Sequence, residues 1–239
     1  MNSLHEEQPV PALAHPRGAR MRRWKLMGAA VLAMGLMWSY TVYVAFSVPD
    51  VSYLRALPPG STAFMNDYDG DKPIRYEWVP QSRISRTLVR AVVVAEDDGF
   101  WDHPGFEWKA IKTAAARDWK KKRLAYGAST ITQQLARNLF LSSSKNPFRK
   151  MKELLIALKL ERELPKERIL ELYLNVVEWG DGIYGAEAAA QHYFGTSAAR
   201  LGPHEAAFLA AILPRPRFYD VHRNGPYLQS RIASIASRL

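Results

Sequence analysis

Residues 85–105 read SRTLVRAVVVAEDDGFWDHPG. Ser85 is a helix-capping residue type, and Leu88, Val92 and Ala95 follow it at three- and four-residue intervals, tracing one face of an α-helix. The acidic, glycine-bearing run Glu96-Asp97-Asp98-Gly99 ends that helix. A hydrophobic helix that delivers its last residues into a glycine-rich aromatic turn can hold a carboxylate rigidly at the rim of a cleft. Apolar neighbours such as Phe100 and Trp101 would raise the pKa of a nearby Glu and suit it to proton transfer. A solvated helix end with ordinary acidic residues has the same local sequence, so both readings stand at this point. His103 is far from any other His and the chain has no Cys, so its ring is expected to hydrogen-bond a carboxylate or a backbone carbonyl rather than to bind zinc.

Outward from this stretch the helical period persists. Helices are expected over 107–122 and 130–140, the latter with Leu135 and Leu139 in register. Asn146-Pro147 is a start signal, an Asn cap with Pro in the first helical position. After it Met151, Leu154, Leu155 and Leu158 form an apolar stripe. Pro165 opens another helix, with Ile169, Leu172, Tyr173 and Val176 on one face. Further helices fit 185–193 and 203–213, the last stopped by Pro214 and Pro216. Upstream, residues 49–84 carry turn signals at Pro58-Pro59-Gly60 and Tyr68-Asp69-Gly70-Asp71, with a short strand expected around 74–79. There is no internal repeat and no βαβ alternation, so the fold class is mainly α.

Residues 26–48 are 23 consecutive positions without a charge. As a helix they would span about 35 Å, enough to cross roughly 30 Å of hydrocarbon. Arg17, Arg20, Arg22, Arg23 and Lys25 crowd the N-terminal flank, which places residues 1–25 in the cytoplasm as a basic tail and residues 49–239 across the membrane. The expected organisation is therefore a tail (1–25), a transmembrane helix (26–48), a linker with the start of the exported domain (49–84), a mainly helical domain (85–225) and a C-terminal segment (226–239). The whole chain has 239 residues, 33 Lys and Arg against 23 Asp and Glu, and a net charge of +10. That balance calls for an anionic partner, and outside a membrane lipid headgroups and lipid-linked phosphates are at hand while nucleic acid is not. Collagen, a long coiled coil and wholesale disorder are excluded by 14 Gly, 15 Pro and 48% hydrophobic residues. The absence of Cys removes disulfides and thiolate nucleophiles.

Two more clusters carry chemistry. Residues 127–138, GASTITQQLARN, run a small-residue turn into a helix start, where backbone N–H groups and the hydroxyls of Ser129 and Thr130 can receive an anionic oxygen. A capped helix with a hydrated face has the same pattern. Arg149 and Lys150 lie four and three residues before Glu153, so both cations share a surface with that carboxylate, as they would in an ordinary surface salt bridge. Two acids in different settings, Glu96 among apolar residues and Glu153 among cations, can divide the labour of a glycosyl reaction. The basic run Arg117–Arg123 suits either a solvated helix end or anionic headgroups.

Taken together these clusters resemble the peptidoglycan glycosyltransferase domain, glycosyltransferase family 51, in its monofunctional Gram-negative form. The family's first motif, Glu-Asp-x-x-Phe-x-x-His-x-Gly, stands at 96–105. Its second, Gly-x-Ser-Thr-x-x-Gln-Gln-x-x-Lys-Asn, stands at 127–138 with Arg137 in place of the Lys. Its third, Arg-Lys-x-x-Glu-x-x-x-Ala-x-x-x-Glu, runs from Arg149 through Ala157 to Glu161. The fourth is similar to 169–175, ending in Asn175, with Gly180, Tyr184-Gly185, Ala189 and 193–195. The fifth is similar to Leu201 with 205–210. The likeness covers about residues 80–220.

The resemblance implies a lysozyme-like helical glycosyltransferase domain with a small membrane-associated jaw, preceded by one transmembrane helix in the cell inner membrane, the catalytic domain being periplasmic. It implies polymerisation of lipid II into β-1,4 glycan strands by inversion. Glu96 would be the general base, and Glu153 would assist at the pyrophosphate, by orienting its neighbours or as a candidate ligand for a divalent cation, Mg2+ or Mn2+; no organic cofactor is implied. The matched positions Asp97, Phe100, His103, Gly127, Ser129, Thr130, Gln133, Gln134, Arg137, Asn138, Arg149, Lys150 and Asn175 carry over as substrate-binding residues. Expected partners are lipid II and the growing strand, membrane lipids, cell-division or elongation proteins and bifunctional synthases. Arg137 keeps the charge of the family Lys but alters reach and hydrogen-bond geometry. A Ser-x-x-Lys at 142–145 is followed by neither Ser-Asp-Asn nor Lys-Thr-Gly, and too few residues remain for a transpeptidase domain. The alternatives are a lytic, lysozyme-like murein hydrolase and an inactive membrane-anchored glycan-binding or scaffold protein.

Overall fold

Ser85 caps helix α3 (Arg86–Glu96) by accepting the Leu88 N–H at 3.0 Å, and the buried face beneath it is Leu88, Ala91, Val92 and Val93. This is the helix expected from the 85–105 stretch, and it ends on Glu96. The structure, a computed structural model, describes residues 17–106, 129–142 and 147–239. The helix expected over 107–122, the basic run Arg117–Arg123 and Gly127 lie outside the described residues.

The chain divides into two units, residues 1–47 and 48–239. In the first, α1 (Arg17–Phe46) holds a 24-residue segment, Met21–Val44, long and apolar enough to cross a membrane. It stops short of Pro49, which cannot continue a helix.

In the second unit α3 is followed by α4 (Ile131–Phe140), α5 (Pro147–Glu163), α6 (Lys166–Val176), α7 (Ala186–Phe194), α8 (Pro203–Ile212), α9 (Pro216–Val221) and α10 (Pro226–Ala236); a single-turn α2 (Ala63–Asn66) precedes α3. A small sheet joins β1 (Arg75–Tyr76), β2 (Glu178–Gly180) and β3 (Ile183–Tyr184) in the order β1-β3-β2, with β1 parallel and β2 antiparallel to β3. The expectation of a mainly α fold holds.

Helix α8 is buried on every side from Ala206 to Ile212, so it can pack against α3 on one flank and α10 on another. Helix α4 packs on α5 and α6. Pro216, expected only to end α8, opens α9 instead, because the first helical position has no N–H bond to lose. In the C-terminal segment after residue 225, Leu228, Ile232 and Ile235 of α10 sit in the same core as α3.

Residues 51–84 are pinned to α6. Arg168 donates to the carbonyls of Leu54 (2.7 Å) and Leu57 (2.9 Å), and Glu171 accepts the Gln81 N–H at 2.8 Å. Asn175, fully buried, accepts the Val79 N–H and donates to the Val79 and Glu171 carbonyls, each at 2.9 Å. The short strand expected around 74–79 exists but forms only two residues, which borrow β3 for pairing.

Candidate active site

The loop that leaves α3 is closed on itself by a ring of hydrogen bonds. Asp97 accepts the first N–H of α4, that of Ile131, at 2.9 Å, so an acidic side chain occupies the positive end of the helix dipole. Its other oxygen bonds His103 Nε2 at 2.8 Å. His103 Nδ1 accepts the Gly105 N–H at 3.1 Å, which fixes the imidazole proton on Nε2, facing Asp97. The Gly105 carbonyl accepts from the Thr130 hydroxyl at 2.7 Å, and Thr130 caps α4 through the Gln133 N–H. Gly105 has φ +86°, and a Cβ there would lie 2.8 Å from Glu161 Cγ, so no larger residue closes the ring in this way.

A second clamp holds the same loop to α5 and α6. Lys166 donates to the His103 carbonyl (2.7 Å) and to Glu161 (2.8 Å), and its ammonium lies 4.4 Å from the centre of the buried Phe100 ring. Thr132 donates to the same Glu161 oxygen.

Glu96 stands just outside this frame, with its side chain 11% exposed. One carboxylate oxygen accepts from Gln134 Nε2 at 2.9 Å, and the other meets an Arg231 guanidinium nitrogen at 3.2 Å. The Gln134 amide is oriented in turn by the hydroxyl of fully buried Tyr173, which donates to its oxygen at 3.0 Å. Burial pushes the Tyr173 phenol well above its ordinary range, so it remains a donor. Burial also raises the Glu96 carboxyl above the usual glutamate value, against the opposing pull of the Gln134 hydrogen bond and the Arg231 and Arg137 charges. A carboxylate restrained on both oxygens and shifted upward has the properties of a general base.

Glu153 is in the contrary setting. It is fully buried, with one oxygen on Arg149 at 2.9 Å and the other on Lys150. Lys150 is half exposed and its ammonium also reaches Ser129 Oγ (3.0 Å) and Gln133 Oε1 (3.2 Å). The carboxylate is thus the buried counter-ion of a cation that faces outward. Because Gln133 and Gln134 are neighbours on α4, one helix turn carries the contacts to Glu96 and to the cation that holds Glu153.

The expected site residues therefore fall into groups. Glu96, Gln134, Ser129, Gln133, Arg149, Lys150 and Glu153 are brought together around the first turns of α4 and α5. Arg137, half buried on α4, adds its charge to Glu96 and lies 5.9 Å from the Phe64 ring. Asp97, Phe100, His103 and Thr130 are buried and bonded within the protein, as the frame beneath the acids. Asn138 is buried on the same helix. Asn175 is turned inward, with its amide bonded to the Val79 and Glu171 backbone, and is placed to hold residues 51–84. Arg231 was not expected: it is 135 residues from Glu96 in the chain, and no local spacing announces the pairing. Tyr173 reads as one more apolar position of a stripe, and only its buried hydroxyl distinguishes it.

The family model described as Transglycosylase matches residues 63–239. The Biosynthetic peptidoglycan transglycosylase of Bordetella pertussis is 46% identical over 244 aligned positions, covering 94% of this chain and 96% of that protein. Those of Chromobacterium violaceum and Laribacter hongkongensis are each 44% identical, over 90% and 92% of this chain and 95% and 97% of their own length.

Proposed function

The chain belongs to the biosynthetic peptidoglycan transglycosylases, and on that premise we propose that it polymerises lipid II into β-1,4-linked glycan strands with Glu96 as the general base. Glu96 takes the proton of the acceptor GlcNAc 4-hydroxyl as that oxygen attacks the anomeric carbon of the lipid-linked MurNAc. The bond from that carbon to the pyrophosphate breaks with inversion, and its electron pair leaves on the pyrophosphate oxygen. The observation that carries the reading is the double hold on Glu96, by Gln134 and Arg231, together with its upward shift.

The leaving group favours the same division of roles. A sugar alkoxide leaving in hydrolysis wants an acid to protonate it, whereas pyrophosphate departs as an anion and needs positive charge. Lys150 and Arg149 supply that charge, and Glu153 beneath them fixes where they point. The donor set around Glu153 does not fit a resident divalent cation: both its oxygens are already held by cations, and no group of three or more His, Asp or Glu side chains suited to a metal occurs among the described residues. No step here is routed through a metal.

The apolar α1 supports a single membrane span, with the basic flank on the cytoplasmic side and the catalytic unit in the periplasm. A substrate with a polyprenyl tail stays in the bilayer, so a tethered enzyme meets it by a two-dimensional search. Purified full-length protein in lipid II vesicles tests the reading, with product followed by gel. Polymer is expected, and no fragments should be released from finished murein. Fragment release without polymer would replace a synthase with a hydrolase.

A further inference from the structure

The base is held by a chain of two hydrogen bonds that begins in the core. Tyr173 lies on the apolar stripe of α6, fully buried, and its hydroxyl donates to Gln134 Oε1 at 3.0 Å. Gln134, on α4, donates from Nε2 to a Glu96 oxygen at 2.9 Å. The three groups come from three elements, α6, α4 and the end of α3, so no local spacing links them.

The chain has a direction. A carboxamide has a donor end and an acceptor end of nearly the same shape, and a half turn about its last bond exchanges them. In the observed orientation an N–H faces Glu96 and favours the ionised carboxylate. In the reversed orientation the amide oxygen would face Glu96, where only a protonated carboxyl can bond it. Glu96 would then be held as an acid, the form that hydrolysis with a sugar leaving group needs. The hydroxyl beneath decides between the two. A reversed amide could donate to the Tyr173 oxygen, but the hydroxyl proton would lose its acceptor, and among the described residues the phenol has no other hydrogen-bond partner. The phenol is sealed from water, so that loss is not made up. Burial holds it well above its ordinary range, and its proton therefore stays in place at neutral pH.

We propose that Tyr173 is a positioning residue for the reaction: by fixing which end of the Gln134 amide meets Glu96, it keeps that side chain a base and not an acid. It acts only through Gln134. The proposal rests on the polymerase reading, since that is the reaction in which Glu96 must arrive ionised. The charged groups facing Glu96 are Arg231 from α10, Arg137 from α4 and its own neighbour Asp97, and those facing Tyr173 are Glu96, Arg137 and Asp97. Both arginines favour the ionised carboxylate as well. Among the described residues neither bonds the Gln134 amide, so its orientation is left to Tyr173.

Tyr173→Phe in the full-length protein removes the hydroxyl and little else. The expected result is an acid limb of kcat/KM displaced upward by about one pH unit, the size of one hydrogen bond to a charged group. On the alkaline plateau the rate should return close to that of wild type, with KM for lipid II unchanged. Gln134→Leu has no amide to orient, so adding Tyr173→Phe to it should leave the limb where Gln134→Leu alone puts it. Side-chain amide NMR of the 15N-labelled protein in detergent micelles gives a readout that needs no turnover. In wild type a Gln134 N–H is expected downfield and following the titration of Glu96, and in Tyr173→Phe that response should be weakened. An unmoved limb in Tyr173→Phe, a double variant displaced beyond Gln134→Leu by the full effect of Tyr173→Phe, or an unchanged amide signal would overturn the proposal. So would a loss of turnover uniform with pH, which is what a packing defect alone produces. If the wild type makes no polymer, the polymerase reading fails, and the Gln134 signal still reports whether Tyr173 sets its orientation.

Discussion

Gln133 and Gln134 are adjacent on α4, yet each serves a different carboxylate: Gln134 donates to Glu96 at 2.9 Å, and Gln133 accepts at 3.2 Å from the Lys150 ammonium that holds Glu153. Successive residues project about 100° apart around a helix. A rotation of α4 therefore moves both contacts at once. The closed ring from Asp97 through His103 and Gly105 to Thr130 keeps α4 from rotating, by fixing its first N–H and its cap.

The Glu96 carboxyl lies above the ordinary glutamate value, and a base acts only when ionised, so kcat/KM rises with pH along a limb set by that shifted group. Gln134→Leu removes a donor to the ionised form and raises the pKa further. The limb moves to higher pH, so the variant loses most of its rate relative to wild type on the acid side of the profile. A pH–rate profile of the variant checks this; a limb at the wild-type position would contradict it.

Arg231→Met acts in the same direction, because the lost guanidinium also favours the ionised form. The variant's limb is expected at higher pH than the wild type's, and the double variant with Gln134→Leu at higher pH still. The same series of profiles tests both.

Lys150→Met is expected to lower kcat by about 100-fold, since it removes the half-exposed cation proposed to meet the departing pyrophosphate. Lys150→Arg restores the charge but not the compact ammonium that reaches Ser129, Gln133 and Glu153 together, so rescue should be partial. Steady-state turnover of lipid II by the two variants measures the difference.

Asn175→Ala removes three hydrogen bonds, two of which join α6 to the backbone of Val79 in residues 51–84. It is expected to destabilise the fold by about 2–4 kcal/mol, mostly from backbone groups of Val79 left unpaired. Urea unfolding reads the loss, and the folded fraction should keep its turnover number. A large fall in turnover without a fall in stability would return Asn175 to the substrate.

Much of this was legible in the residues. The 3.6-residue period located α3 to α8 to within a residue or two at most ends, and Ser85 marked its helix start by a side chain that does cap. Motif spacing brought out Glu96, Glu153 and their neighbours. What escaped depends on distance in the chain. The bond from Arg231 to Glu96 spans 135 residues, and β1 pairs with β3 from more than a hundred positions away through strands only two residues long. The His103 ring was expected on a carboxylate and is found on Asp97, whereas Asp97 and Thr130 read as polar residues of a site, and only the fold shows them bonded inward. Pro216 has two meanings, a stop for one helix and a start for the next, and the chain does not say locally which applies.

The central claim is that Glu96 removes the acceptor proton. Its most direct test is the single-turnover rate of coupling between two lipid II molecules by Glu96→Gln, a variant that keeps the side-chain shape and an acceptor oxygen but cannot take a proton, at saturating substrate and over the pH range of the wild-type profile. A rate at least 1,000-fold below wild type and flat with pH, with lipid II binding retained, is the predicted result. A variant that couples within tenfold of wild type, or that keeps the wild-type pH limb, would contradict the account.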